Sequence, residues 1–227
     1  MAAVRHGPRA RGVARAGATL GLSARDALQR LREGNRRFAS DVRSLDSLAS
    51  QARRRELAAG QAPFAIVLGC SDSRVPAEMI FDQGLGDLFV IRVAGNIVAP
   101  SQIGSVEFAA ERFGTRLVVV LGHTRCGAVE ATVDELRRPT ERQSRNLASI
   151  VSRIRPAVEE LLATDVARDP ETLLRHAARA NVRAAANALR HGSDIIERLI
   201  ERDGLVVVGA EYALETGVVD FFDGVPA

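Results

Sequence analysis

The chain has no tryptophan and no lysine, a single tyrosine, and two cysteines among 227 residues. Two cysteines in a chain this long exclude a small secreted fold stapled by disulfides. With lysine missing, arginine carries all the permanent positive charge, and the abundant alanine beside it reflects GC-rich coding more than function. Long apolar runs are lacking too. The longest, such as "RLVVVLG" at 116–122, have the length of a strand, so no membrane span is expected. Acids are missing up to Arg25, a stretch rich in arginine. It lacks the apolar core of a secretory signal, and no aromatic interleaving or basic motif follows downstream. Neither nucleic acid nor membrane is therefore expected as a partner, and the expected compartment is the cytoplasm.

What is present is ordinary for a folded protein: 46% hydrophobic residues, 26% charged residues and a net charge of +3. Residues 1–22 have no clear apolar period and read as a disordered basic extension. The remainder, 23–227, is long enough for a single domain with a substantial core. A helix begins at "SARDALQRLREGNRRF", where Ser23 and Asp26 form a capping-box pattern and Gly34 should weaken the last turns.

Four runs have the length and β-branching of buried strands: "FAIVLG" at 64–69, "LFVIRV" at 88–93, "RLVVVLG" at 116–122 and "LVVVGA" at 205–210. They are nearly continuous rather than alternating, as in a sheet covered on both faces. Helical stretches separate them: "SQIGSVEFAAERFG", about 144–163, and "PETLLRHAARANVRAAANALR". In the last, Leu174, Ala177, Asn181, Ala185 and Leu189 share one side. "PTERQS" at 139–144 and "TDVARDP" at 164–170 read as loops. This alternation predicts an α/β fold: a mostly parallel four-stranded sheet with an extra edge strand, flanked by helices and preceded by a helical arm.

Chemistry gathers at two strand ends. "VLGCSDSRVP" at 67–76 puts Cys70, Asp72 and Arg74 directly after an apolar run, and "LGHTRCGAVE" puts His123 and Cys126 after another. Open α/β sheets bind ligands at the carboxyl ends of their strands. Cys70, His123 and Cys126 together make a Cys₂His donor set that suits zinc and leaves a fourth position open. Asp72 can take that position or stay back as a hydrogen-bond acceptor, held by a bidentate ion pair with Arg74. Two other readings stand beside this one. A Cys–His nucleophilic dyad leaves the second cysteine and the Asp72–Arg74 pair without work. Redox cycling between the cysteines lacks the Cys-x-x-Cys arrangement.

The pair "CSDSRVP" and "GHTRCGAV" resembles the β-class carbonic anhydrases. The resemblance runs from about residue 23 to 222, through "ALQRLREGNRRF", "FDQGLGDLFVIRVAGN", "NVRAAANAL" and "VVGAEYALETGVV". It implies one zinc per chain held by Cys70, His123 and Cys126. It also implies an Asp72–Arg74 dyad whose aspartate ligates zinc in a closed state and pairs with arginine in an open one. The implied reaction is reversible hydration of carbon dioxide to bicarbonate by zinc-bound hydroxide. The implied substrate pocket comprises Gln61, Phe89, Ala94 and Phe108, with Phe108 standing where many members have tyrosine. Gly127, next to a ligand at a helix start, is read as letting backbone approach this pocket closely, with an ordinary turn glycine as the alternative. Family sites lie at a dimer interface, so self-association as a dimer or a dimer of dimers is expected. Arg92 and Tyr212 match two residues of a regulatory bicarbonate site, but Val67 stands where its tryptophan would be. Two alternatives remain: a same-scaffold hydrolase of carbonyl sulfide or carbon disulfide, and a non-catalytic zinc-binding homologue.

Overall fold

The structure, a computed structural model, describes residues 21–42, 50–139 and 144–226. The reading of residues 1–22 as an extension falls almost wholly outside them, as does most of the "PTERQS" loop. Helix α1 (Ala24–Ala39) begins at Ser23, whose hydroxyl accepts the Asp26 amide N–H and donates to the Asp26 carboxylate at 2.6 Å. Gly34 does not weaken this helix, which runs five residues beyond it. A Cβ at Gly34 would fall on the Phe81 carbonyl, so the residue serves close approach.

The chain continues through α2 (Gln51–Leu57), β1 (Ala65–Gly69), α3 (Ala77–Ile80), β2 (Leu88–Arg92), α4 (Pro100–Phe113) and β3 (Leu117–His123). It then forms α5 (Gly127–Arg137), α6 (Arg145–Leu162), α7 (Pro170–His191), α8 (Asp194–Asp203), β4 (Val206–Tyr212) and β5 (Val219–Asp223). The expected loop at 164–170 contains a 3₁₀ turn, Asp165–Arg168, and ends inside α7. There Asp169 caps the Thr172 amide and Pro170 takes the first helical position.

The five strands form one sheet in the order β2-β1-β3-β4-β5. The first four are parallel and β5 joins antiparallel to β4, forming the expected edge strand. Every residue of β1 and β3 is buried, the result of covering both faces. One face packs Val67, Val119, Leu121 and Val208 against Leu28 and Leu31 of α1 and Ile80 of α3. The other packs Ile66, Leu68, Val118 and Val120 against α4, α7 and α8. A third cluster at the ligand end joins Cys70 and Cys126 to Val129, Val133, Ile154, Val158, Leu173 and Ala177. Fully burying one such aliphatic side chain is worth about 1.5–3 kcal/mol, so this last cluster both stabilises the fold and places the sulfurs.

Closing α7 onto the sheet needs two glycines. A Cβ at Gly209 would lie 2.9 Å from Val182 Cγ1, and one at Gly122 would run into Val182 Cγ2. Val182 therefore sits in a notch between β3 and β4, formed by Gly209 and by Gly122, the residue before His123.

Candidate metal centre

Cys70 follows the last residue of β1, His123 is the last residue of β3, and Cys126 stands just before α5. Because β1 and β3 are parallel neighbours, these positions meet at one end of the sheet. The three ligand atoms lie within 4.8 Å of one another, and all three residues are buried.

His123 has a defined tautomer. Its Nδ1 lies 2.9 Å from the Thr124 carbonyl, which can only accept, so Nδ1 carries the proton. Nε2 is left with its lone pair, buried and without a hydrogen-bond partner. A buried polar atom with no partner, facing two sulfurs, is what a metal ligand looks like before the metal is added. The hydrogen bond from Cys126 draws the Cys70 thiol down against the cost of burial, with smaller contributions from His123 and backbone groups. The hydrogen bond to Cys70, then burial, push the Cys126 thiol well above the ordinary range. A divalent cation would let both become thiolates. Two sulfurs, one imidazole nitrogen and an open side suit zinc.

Arg74 holds Asp72 on both oxygens. Its Nε donates to Oδ1 at 2.9 Å, its Nη2 to Oδ2 at 2.7 Å, and its backbone N–H to Oδ1 at 2.9 Å. The guanidinium keeps the Asp72 carboxyl far below the usual carboxylate range. Asp72 Oδ2 faces His123 Nε2 at 4.0 Å. Arg74 Nη2 also reaches the Arg125 carbonyl at 3.3 Å, tying the two motifs together.

The backbone around the ligands is held by groups that the motifs do not announce. Gly95 N–H donates to Cys70 Sγ at 3.3 Å. Arg92 donates to the carbonyls of Cys70, at 3.0 Å, and Asp72, at 2.6 Å, so here it clamps the turn. Tyr212 lies on β4 with β1 and β3 between it and β2, about 14 Å across at the usual strand spacing, and packs against Phe38. Arg125 is left-handed (φ 53°) in the turn between His123 and Cys126. Glu215 steadies that turn by pairing with Arg125 at 3.1 Å and accepting from the Thr124 hydroxyl at 3.2 Å.

The expected pocket residues are less concentrated. Ala94 and Gly127 adjoin the ligands, being next to Gly95 and Cys126 respectively. A Cβ at Gly127 would meet nothing within 4 Å, so in this chain it is not a close-approach position. Phe89 pairs in register with Ile66, four residues or roughly 13 Å short of Cys70 along the sheet. Its ring packs against Phe108 and Phe113 of α4, and Phe108 is 54% exposed. Gln61 precedes β1, at the end opposite Cys70, in a cavity lined also by Arg54, Leu57 and Leu85. Within one chain, then, Gln61, Phe89 and Phe108 lie away from the three ligands.

Comparison with known proteins accords with this geometry. The family model described as carbonic anhydrase matches residues 65–219. Carbonic anhydrase 2 of Mycobacterium tuberculosis is 38% identical over 187 residues, covering 82% of this chain and 87% of the relative. The carbonic anhydrase of Mycolicibacterium smegmatis is 36% identical over 190 residues, covering 84% and 89%. Among solved structures, the β-carbonic anhydrase CafA of Aspergillus fumigatus superposes with a TM-score of 0.69 at 25% identity, covering 89% of this chain and 91% of that one. One of two tetrameric β-carbonic anhydrases from Sordaria macrospora superposes at 0.67 with 27% identity, over 74% and 85%. By the family match over residues 65–219, the identity to these relatives and the likeness of fold, the chain belongs to the carbonic anhydrase family, in its β class.

Proposed function

We propose that the protein binds one zinc ion through Cys70, His123 and Cys126 and catalyses reversible hydration of carbon dioxide with Asp72 and Arg74. The observation that carries this reading is the convergence of the three donor atoms within 4.8 Å beside an aspartate held back by arginine. Zinc, when bound, acidifies a water so that a nucleophile is available near neutral pH.

The remaining work belongs to the chain. Cys70 and Cys126 approach from separate turns and His123 presents Nε2, so these three would hold the metal and leave it accessible to substrate. Asp72, kept ionised by Arg74, is acceptor-only. Its Oδ2 takes the hydrogen bond of the attacking water and so turns an oxygen lone pair towards the carbon of carbon dioxide. Arg74 fixes that carboxylate and would hold it back from a metal bound by the three donors, the arrangement expected of the open state. The buried side chains behind the sulfurs keep bulk water from the ligand bonds.

Gln61, Phe89 and Phe108 can line this pocket only if a second copy brings them to it, so we place the working site at a contact between subunits. The tetrameric state of the Sordaria relatives supports self-association. Two free cysteines support a reducing, cytoplasmic setting. Among the described residues no helix is long and apolar enough to cross a membrane.

The deciding experiment is stopped-flow carbon dioxide hydration across pH, with zinc quantified on the same sample and Asp72→Asn in parallel. About one zinc per chain, with hydration that collapses in the variant, is expected. Stoichiometric zinc without hydration at any pH would overturn the assignment.

A further inference from the structure

The apolar stripe of α7 contains one residue that does not belong there by hydropathy. Asn181 is 2% exposed among Leu173, Ala177, Val182, Ala185 and Leu189. A buried primary amide is costly unless its hydrogen bonds are made. Its Nδ2 donates to the Gly95 carbonyl at 2.8 Å, across 86 residues of chain. That carbonyl belongs to the same residue whose N–H donates to Cys70 Sγ.

The turn between these two bonds is not one that relaxes into place by itself. Gly95 has φ 69° and Asn96 φ 43°, two left-handed residues in succession, and the second is not a glycine. Such backbone persists only where its surroundings over-determine it. Its side towards α5 and α6 is closed: a Cβ at Gly95 would lie 2.7 Å from Ile154 Cδ1 and 3.1 Å from Ala128 Cβ. Asn181 supplies the directional restraint from α7. With the carbonyl pinned and the α-carbon wedged, the Gly95 N–H has one direction left, towards the sulfur.

We propose that Asn181 is a positioning residue for the metal thiolate: through the Gly95 carbonyl it aims the Gly95 N–H at Cys70 Sγ and so sets how strongly that sulfur donates to the metal. The inference rests on the metal reading above. An N–H bond to a thiolate withdraws electron density from sulfur and holds it in place. Its loss makes the sulfur more easily oxidised but less well aimed at the metal, and the loss of aim is what lowers affinity. Groups that orient metal ligands in this way typically change metal affinity by about 10- to 100-fold when removed.

The test replaces zinc with cobalt(II) in the full-length protein and reads the sulfur-to-cobalt charge-transfer band together with cobalt affinity by chelator competition. Asn181→Leu removes the donor while matching the stripe. Asn181→Ala removes the donor with a smaller side chain, so a folding failure of the first variant leaves the test standing. Leu189→Val perturbs packing on the same helix and is the structural control. The expected result is a band moved to longer wavelength and cobalt held about 10-fold or more weakly in the Asn181 variants, with the band unmoved in Leu189→Val. A normal wild-type band that stays in place in the Asn181 variants, or moves equally in Leu189→Val, overturns the proposal. A wild-type protein with no such band overturns the metal reading and the proposal with it.

Discussion

Gly122→Ala tests whether the seating of α7 on the sheet depends on the notch beside His123. The new Cβ would run into Val182 Cγ2, inside the ordinary carbon–carbon separation by about an ångström. Val182 cannot move aside: it is fully buried, its β-branched side chain has one favoured rotamer in a helix, and Gly209 confines its other methyl. Overpacking of this kind costs about 1–3 kcal/mol. Unfolding entropy near 2.1 cal/mol/K per residue over 227 residues gives roughly 0.5 kcal/mol/K, hence a fall in Tm of about 2–6 °C. Val182→Ala alone removes two methyls and should cost about 1–3 kcal/mol. The double variant should be more stable than the sum of the two losses by about 1–2 kcal/mol, because each change removes the other's problem. Calorimetry at fixed protein and metal concentration reads all four proteins. A double variant that loses the full sum would show that steric contact at this notch is not what requires glycine.

Three further outcomes are expected. Arg74 lowers the Asp72 carboxyl below its free value, so the stability it contributes is present above pH about 4 and is lost as pH falls through the depressed value. The gap in urea midpoint between wild type and Asp72→Asn should therefore stay level from pH 8 to 5 and shrink below 4; a gap that closes between 7 and 5 contradicts the pairing. Cys126→Ser should reduce bound zinc from about one per chain to a small fraction, measured by elemental analysis after gel filtration, and undiminished zinc would remove Cys126 from the ligand set. Ser193 accepts the Ile195 and Ile196 amides at the start of α8 and donates to Glu107. Ser193→Ala should cost about 1–2 kcal/mol by thermal unfolding, and no loss would show that the cap is unimportant.

The sequence alone was informative wherever chemistry and periodicity are local. Near-continuous Val, Ile and Leu runs marked the four parallel strands, and Ser23 with Asp26 marked the start of α1. Cys70, His123 and Cys126 stand out because sulfur and imidazole are scarce here and fall directly after strands. Asp72 and Arg74, two residues apart, could be paired on paper. Tertiary structure decided the rest, because the deciding partners are far apart in sequence. Gly34 read as a weak point in a helix and proved to be where α1 meets the Phe81 carbonyl. Arg92 was matched to a regulatory position and is found clamping the Cys70–Asp72 turn from the neighbouring strand. Asn181 looked like one more position on an apolar stripe until the fold brought it to Gly95. Gln61 shares its chain with Cys70 but stands at the other end of β1. Sequence sets which atoms are available and how each segment curls; only packing decides which of those atoms are turned towards the same point.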